Sequence, residues 1–389
     1  MSTRIILNSI HVLQLSSLER MDYDTMERNR LDSLQVCRAI AALLVVLCHF
    51  SVQSKIFLGH ELFNSFFNFG RSGVSFFFVL SGFIICYTHW RDMDGTYVDL
   101  RKYVGKRLTR ILPAYWSVLA VLAMLYVFFG GASHGQHTSI TPLAFLKNVF
   151  LISYDHEPIV AVAWTLQYEM IFYLFFATFI ISSEMGVALL AVWIGLITLF
   201  NLNVLTPSAS FLKFALSLYS AQFLMGCLVA YAVKKWGDYI PAPRAILLLG
   251  VLGFLACGVH EDYFNNLSKM TNATLYAVFS ALIISGLVKI ESMKPLRFPN
   301  LFVFLGGASY SIYLTHNTLI SILLRVAQHV GLQQYPIARF TIQTLFVLFT
   351  SVAIGCLYYK LYELPVIDYL KRKIKRPAIN TDETALQPR

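Results

Sequence analysis

The chain has 389 residues, of which 57% are hydrophobic and only 13% are charged, with a formal net charge of +10. Soluble domains average about 25% charged residues, so this composition excludes an ordinary soluble fold. The apolar residues form long continuous runs, unlike the short alternating segments of a β-barrel. We therefore expect an all-α, polytopic transmembrane helical bundle.

Ten apolar segments are long enough to cross a bilayer, since a spanning helix needs about 20 residues. They lie at residues 35–54, 72–90, 111–130, 161–182, 186–204, 209–235, 243–259, 271–290, 301–324 and 340–362. The segment from Pro142 to Ile152 is too short to cross and predicts a re-entrant or interfacial piece. We expect a polar N-terminal segment at 1–30, a transmembrane domain at 31–366 and a basic, polar tail at 367–389.

The basic residues indicate the orientation of the bundle. With the N-terminus in the cytoplasm, only seven of the 31 Lys and Arg residues fall on the outer side: Lys55, Arg71, Lys147, Lys213, Lys269, Arg325 and Arg339. Cytoplasmic loops carry an excess of basic residues, so we expect both termini in the cytoplasm. The positive charge is spread over loops without interleaved aromatic residues, and it does not predict nucleic-acid binding.

The first expected span carries two ionisable side chains, Arg38 and His49, eleven residues apart. At about 100° per residue both face the same side of a helix, roughly 16 Å apart along its axis. A central charge exposed to lipid costs about 2.5–3.5 kcal/mol on insertion scales, so this face should point into protein or a water-filled cavity. The alternative is a snorkelling interfacial Arg and a His that only packs.

Small and basic residues mark the next two spans. Ser81 and Gly82 lie in the middle of the second span, where they allow close helix packing or local unwinding. In the loop expected before the third span, Arg107 and Arg110 are three residues apart and share one helical face. Paired guanidinium groups at a cytoplasmic boundary suit a phosphate-bearing anion. A topology anchor that contacts lipid headgroups is the alternative.

A carboxylate lies inside the fourth expected span. Glu169 is several residues into this apolar segment, and an intramembrane carboxylate is a candidate functional residue. A structural ion pair with an arginine such as Arg71 is the alternative. At the end of the last span, Pro365 follows Glu363 and is expected to terminate the helix at the membrane boundary.

The ninth expected span carries a polar stripe. Tyr310, Tyr313 and Asn317 recur at intervals of three and four residues, with His316 beside them, so they face one side of a helix. Interhelical hydrogen bonding is the simpler explanation of this stripe.

The six cysteines lie in or beside apolar segments, with no CxxC pair and no metal-ligand spacing. Small apolar packing is the simplest role for them. We therefore expect neither disulfides nor a bound metal.

Six motifs in fixed order resemble the membrane acyltransferase 3 family. They are R-x10-H from Arg38, GVSFFFVLSGF, KRLTRILPAYW, W-T-L-x-x-E-x-x-F-Y, SYSIYLTH and E-L-P. Together they extend from Leu31 to Pro365, and the opening segment is most similar to exopolysaccharide O-acetyltransferases of the ExoZ type. Ser75 stands where many members carry Asp.

The resemblance implies an integral O-acyltransferase of the inner membrane. Such an enzyme moves an acyl group, usually acetyl, from cytoplasmic acyl-CoA to a hydroxyl of an exported polysaccharide or its lipid-linked precursor. Acyl-CoA is then a donor substrate, and no cofactor stays bound permanently. The implied partners are the donor, the saccharide acceptor and membrane lipid, and a homo-oligomer is compatible with the family.

The resemblance also implies roles for individual residues. His49 would be the catalytic histidine, acting as general base or as covalent acyl carrier, and Glu169 would orient it or bind the sugar. Arg38, Arg107 and Arg110 would bind the donor phosphates. The tunnel and acceptor site would be lined by Ser81, Gly82, Tyr310, Tyr313, His316 and Asn317.

Two other classes of function compete with this interpretation. A transporter or flippase for an anionic solute would use the same Arg, His and Glu as a substrate and proton relay. The chain shows no internal repeat of the kind that many transporters carry, which is evidence against this class. A scaffold subunit of a polysaccharide export complex is the third interpretation, and it predicts that a change of His49 to Ala is silent.

Overall fold

The computed structural model describes residues 31–59, 66–129, 141–264, 267–329 and 337–375. Within these ranges all regular secondary structure is helical. The helices are α1 (Asp32–Leu58), α2 (Ser72–Thr88), α3 (Tyr97–Phe129), α4 (Pro142–Val149), α5 (Trp164–Ile181), α6 (Ser183–Asn201), α7 (Ser210–Ala215), α8 (Leu218–Trp236), α9 (Pro243–Tyr263), α10 (Lys269–Met293), α11 (Asn300–Gly307), α12 (Ser309–His329), α13 (Ile337–Tyr358) and α14 (Leu364–Lys375). The chain is thus an all-helical bundle, as the composition predicts.

Nine helical segments of the described residues are long and apolar enough to cross a membrane. They are Asp32–Phe57, Asn68–Thr88, Tyr97–Phe128, Ala161–Ile181, Ser183–Asn201, Ser210–Trp236, Pro243–Tyr263, Thr271–Met293 and Thr344–Lys373. The protein is therefore a multi-pass membrane protein. The expected short piece after Pro142 forms the eight-residue α4, which is about 12 Å long and too short to cross.

The expectation of a continuous span at 301–324 is wrong. The helix breaks at Ala308 into α11 and α12, and neither part is among the nine candidate spans. The polar residues of the stripe lower the mean hydropathy of α12, and three of its polar side chains, Ser309, Ser311 and His316, are buried inside the bundle. α11 packs closely on α1, where a Cβ added at Gly306 would lie 2.0 Å from the backbone oxygen of Gln35.

Two expected helix boundaries also need correction. Helix α3 begins at Tyr97, so Arg107 and Arg110 lie within a long helix and not in a loop before it. Pro365 does not terminate the last span, because a π-helical turn at Tyr359–Glu363 continues into α14. Pro365 is the second residue of α14 and directly follows this π-helical turn.

Gly82 lies at the contact between α2 and α8. A Cβ added at Gly82 would lie 2.0 Å from the backbone oxygen of Phe223, and one at Gly226 would lie 2.0 Å from that of Val79. Such small residues let helix backbones approach closely in membranes. This packing fixes α2 in the bundle, and Ser81, about 100° around the helix from Gly82, is directed to Glu169 of α5.

Candidate active site

Helices α1, α2, α3, α5 and α12 line a cavity whose free space, open solvent included, is about 880 Å³. Its charged lining consists of Arg38, Arg107, Arg110 and Glu169, and the apolar wall comes mainly from α2. Seven of the residues predicted from the sequence thus lie around one cavity: Arg38, Ser81, Arg107, Arg110, Glu169, Tyr310 and Tyr313. Four do not line it: His49, Gly82, His316 and Asn317. Among the described residues there is no group of three or more His, Cys, Asp or Glu side chains that could bind a metal ion.

Three arginines and one carboxylate, that of Glu169, line the cavity, so the lining carries a net positive charge. Arg38 is 9% exposed, and its Nη2 donates to Ser309 Oγ at 3.0 Å. In the part of the chain that the structure describes, no carboxylate lies within 4.0 Å of Arg38, Arg107 or Arg110. A buried charge is costly unless it is paired. The cavity is therefore suited to an anionic ligand.

Arg107 has a buried donor without a partner among the described residues. Its Nη2 lies 2.6 Å from His89 Nε2, and its guanidinium carbon lies 5.6 Å from the ring centroid of Tyr103 and 5.8 Å from that of Tyr173. The Nε–H is buried and has no hydrogen-bond partner among the described residues. A buried donor without a partner costs about 1–3 kcal/mol. A ligand oxygen in the cavity would remove this cost.

Glu169 is bound by hydroxyl groups. Its Oε1 accepts a hydrogen bond from Ser81 Oγ at 3.1 Å and another from the Tyr173 hydroxyl. The suggested ion pair with Arg71 is wrong, because Arg71 Nε pairs with Glu261 Oε1 at 3.0 Å. Two neutral donors hold the Glu169 carboxylate in the cavity wall, away from the arginine that the sequence suggested.

A hydrogen-bond chain fixes the tautomer of His49. Gln53 Nε2 donates to the backbone oxygen of Asn317 at 3.1 Å and also lies 2.6 Å from Asn317 Oδ1. Because a backbone oxygen only accepts, this Gln53 atom is the amide nitrogen, and the facing Asn317 atom is an oxygen. His49 Nδ1 lies 2.7 Å from the same Oδ1 and must therefore carry the proton. His49 Nε2 remains as the basic nitrogen.

His316 and Tyr313 connect His49 with the cavity. The His316 ring is fully buried and meets the His49 ring edge-on, with centroids 5.0 Å apart. The Tyr313 ring, which lines the cavity, lies 5.7 Å from the His316 ring. His316 Nδ1 lies 2.7 Å from the backbone oxygen of Tyr313 and donates to it. His316 Nε2 is buried without a partner among the described residues.

The contacts of helix α1 can be compared with the roles that the sequence predicts for Arg38, His49 and Glu169. Arg38 and His49 both contact α12, at Ser309 and Asn317, as their shared helical face predicts. The expectation that Glu169 orients His49 has no support in the described contacts, in which Asn317 binds the imidazole. The interhelical hydrogen bonding expected of the polar stripe is present at Asn317, which contacts His49 and Gln53 of α1. No sequence signal identified Gln53 or His89.

The described residues form a polytopic helical bundle with an arginine-lined cavity and a histidine, His49, that is hydrogen-bonded to Asn317. Comparison with protein families identifies the class as a membrane acyltransferase. The family described as "Acyltransferase domain", acyltransferase 3, matches residues 31–360, and the chain belongs to it. This result favours an enzyme over the transporter and scaffold interpretations.

Curated relatives carry consistent names. The chain is 26% identical to the "Exopolysaccharide production protein ExoZ" of Rhizobium meliloti (strain 1021), covering 77% of this chain and 90% of that protein. It is 28% identical to a "Putative acetyltransferase" of Acidianus two-tailed virus, covering 82% of this chain and 94% of that protein. A "Putative O-acetyltransferase" of Staphylococcus aureus (strain COL) is 23% identical over 73% of this chain but only half of its own length. No solved structure matches the chain significantly.

Proposed function

We propose that this acyltransferase is an O-acetyltransferase of the inner membrane that takes acetyl from cytoplasmic acetyl-CoA. The acceptor in this proposal is a hydroxyl of an exported polysaccharide or its lipid-linked precursor. The net positive charge of the cavity lining carries the proposal, because three guanidinium groups and only one carboxylate line it. The acceptor class is suggested by the name of the Rhizobium meliloti relative.

The cavity supports a coenzyme A thioester as donor. Arg38, Arg107 and Arg110 would bind the phosphates, for which guanidinium groups provide charge-assisted, bidentate hydrogen bonds. The apolar wall formed by Phe77, Phe78 and other α2 residues suits the less polar pantetheine arm. With the N-terminus in the cytoplasm, the arginines would lie toward the side where acyl-CoA is available.

His49 supports the chemistry of the transfer. In the direct reaction, the acceptor oxygen bonds to the thioester carbonyl carbon while its proton passes to His49 Nε2. The C–S bond then breaks, and the departing thiolate receives that proton. Asn317 Oδ1 accepts from Nδ1–H throughout and would stabilise the imidazolium. In the covalent alternative, Nε2 carries the acetyl group before the acceptor takes it.

The experiment uses inverted membrane vesicles that contain the full chain. These vesicles are incubated with radiolabelled acetyl-CoA and with de-O-acetylated exopolysaccharide from the expressing cells. We expect label in the polysaccharide that mild alkali releases as acetate, as an O-acetyl ester requires. Vesicles with His49→Ala at the same protein level provide the control. Equal labelling by wild type and His49→Ala would contradict the proposed mechanism, and no labelling by wild type would contradict the proposed substrates. Label that stays on the protein when the polysaccharide is omitted would identify the covalent route.

A further inference from the structure

His89 is a buried imidazole that the proposed reaction does not use. It is 3% exposed and lies just past the end of α2, outside the candidate span that ends at Thr88. Its ring meets the Tyr103 ring edge-on at 5.0 Å and lies 6.4 Å from Phe176 of α5. Its two nitrogens contact groups of opposite charge.

The hydrogen bonds of His89 define its protonation state. Arginine has only donors, so His89 Nε2, 2.6 Å from Arg107 Nη2, must be the unprotonated acceptor. The proton is therefore on Nδ1, which donates to Asp92 Oδ2 at 2.7 Å. Only the neutral imidazole can make both contacts, because a protonated ring would present a second donor to Arg107.

The backbone around His89 is held by neighbouring helices. The His89 N–H donates to the backbone oxygen of Ile85, which continues α2 by one residue. The connection to α3 is fixed to the end of α5, where Asp94 and Gly95 donate to the backbone oxygens of Phe179 and Ile180 at 3.2 and 2.9 Å. His89 is thus a fixed point from which Arg107 can be oriented.

We propose that neutral His89 positions Arg107 for the donor phosphates, so that donor binding weakens when His89 becomes protonated. The proposal rests on the proposed function, in which Arg107 is a phosphate ligand. Arg107 lines the cavity, and with Nη2 held at His89 its buried Nε–H has no hydrogen-bond partner among the described residues. His89 is a positioning residue and has no contact with the substrate.

The electrostatic surroundings of His89 give the direction of the pH effect. Burial lowers its pKa below the ordinary value of about 6.5, with Arg107 and Lys106 acting in the same direction and Asp92 acting against them. Tyr103 and Phe176 complete the surroundings with aromatic rings. The imidazole is therefore neutral near pH 7, and the contact to Arg107 is lost as the pH falls through a pKa below 6.5.

The first test measures binding of coenzyme A to the detergent-solubilised full chain by calorimetry, between about pH 5 and pH 8. We expect His89→Ala to raise the Kd about tenfold near pH 7.5 and to raise the KM for acetyl-CoA more than it lowers kcat. His89→Gln should bind nearly as wild type there, because its side-chain oxygen can accept from Arg107 without titrating. The exposed His156 provides the control, and His156→Ala should leave binding unchanged.

The pH profile and a double-mutant cycle separate positioning from general packing. Wild type should lose affinity below about pH 6.5 relative to His89→Gln, and titration of coenzyme A itself cancels in this comparison. Adding His89→Ala to Arg107→Ala should cause no further loss of affinity. Identical pH profiles of wild type and His89→Gln, or additive losses in the double mutant, would overturn the proposal. Failure of wild type to bind coenzyme A at any pH would instead refute the donor site.

Discussion

Asn317 provides the sharpest test of the proposed chemistry. Its Oδ1 accepts hydrogen bonds from His49 Nδ1 at 2.7 Å and from Gln53 Nε2 at 2.6 Å. The change Asn317→Ala removes this acceptor and frees the imidazole to adopt the other tautomer, in which Nε2 carries the proton and cannot act as a base. We therefore expect kcat to fall while the KM for acetyl-CoA changes little, because the arginines are untouched.

The magnitude follows from the bond that is lost. A hydrogen bond to a charged group contributes about 1.5–3 kcal/mol, and this bond is to a charged imidazolium only in the transition state. At about 1.4 kcal/mol per factor of ten, kcat should fall roughly 10- to 150-fold. Loss of the base itself, in His49→Ala, typically costs roughly 10²–10⁴-fold. Asn317→Asp keeps an acceptor oxygen and should retain more activity than Asn317→Ala.

The assay is steady-state transfer of radiolabelled acetyl to polysaccharide, with protein levels matched by quantitative blotting. Asn201→Ala is the control, because Asn201 binds backbone oxygens at the end of α6 and lies outside the site. Adding Asn317→Ala to His49→Ala should cause no further loss, since the two residues act as a unit. A wild-type kcat in Asn317→Ala, or a further loss in the double mutant, would refute the tautomer argument.

Three further results are expected. Arg38→Ala should raise the KM for acetyl-CoA about tenfold or more, with partial recovery in Arg38→Lys, which lacks bidentate geometry; unchanged donor saturation would indicate a topological role. Gly82→Ala should lower the melting temperature, because the added Cβ causes a clash worth about 1–3 kcal/mol. Gly195→Ala is the control and should leave the melting temperature unchanged, since no atom lies within 4 Å of its added Cβ. Equal melting temperatures of the two variants would contradict the described packing. In a cysteine-free background, a membrane-impermeant maleimide is added from outside to cells with a permeabilised outer barrier. It should label a cysteine at position 156 and not one at 297, and the reverse pattern would place the arginines on the wrong side for cytoplasmic acyl-CoA.

The sequence could predict features that depend on one helix. Arg38 and His49 share a face because they lie on a single continuous helix, and the spacing of eleven residues alone determines their relative direction. The long apolar runs likewise predict most of the candidate spans. The break at Ala308 escaped prediction because the polar residues after it are buried among neighbouring helices, and a linear pattern does not show which neighbours satisfy them.

Contacts between helices could not be predicted in the same way. Glu169 and Asn317 are both polar residues in apolar segments, and only the rotation and register of α5 and α12 decide which one reaches His49. His89 gave no signal, because a single His after a span has no periodicity. The prediction that Pro365 terminates the helix was wrong for a related reason, because a π-helical turn precedes Pro365 and the helix continues past it.

Tyr313 and His316 lie between the cavity and His49. This arrangement affects how much acetyl-CoA the cell would lose to hydrolysis. A thioester beside an exposed base would be hydrolysed by any water that reached it. In the described arrangement the Tyr313 ring lines the cavity, the His316 ring contacts both Tyr313 and His49, and the Tyr313 hydroxyl lies 3.1 Å from Thr165 Oγ1. Because two rings separate His49 from the cavity, we expect slow hydrolysis of bound acetyl-CoA until an acceptor arrives.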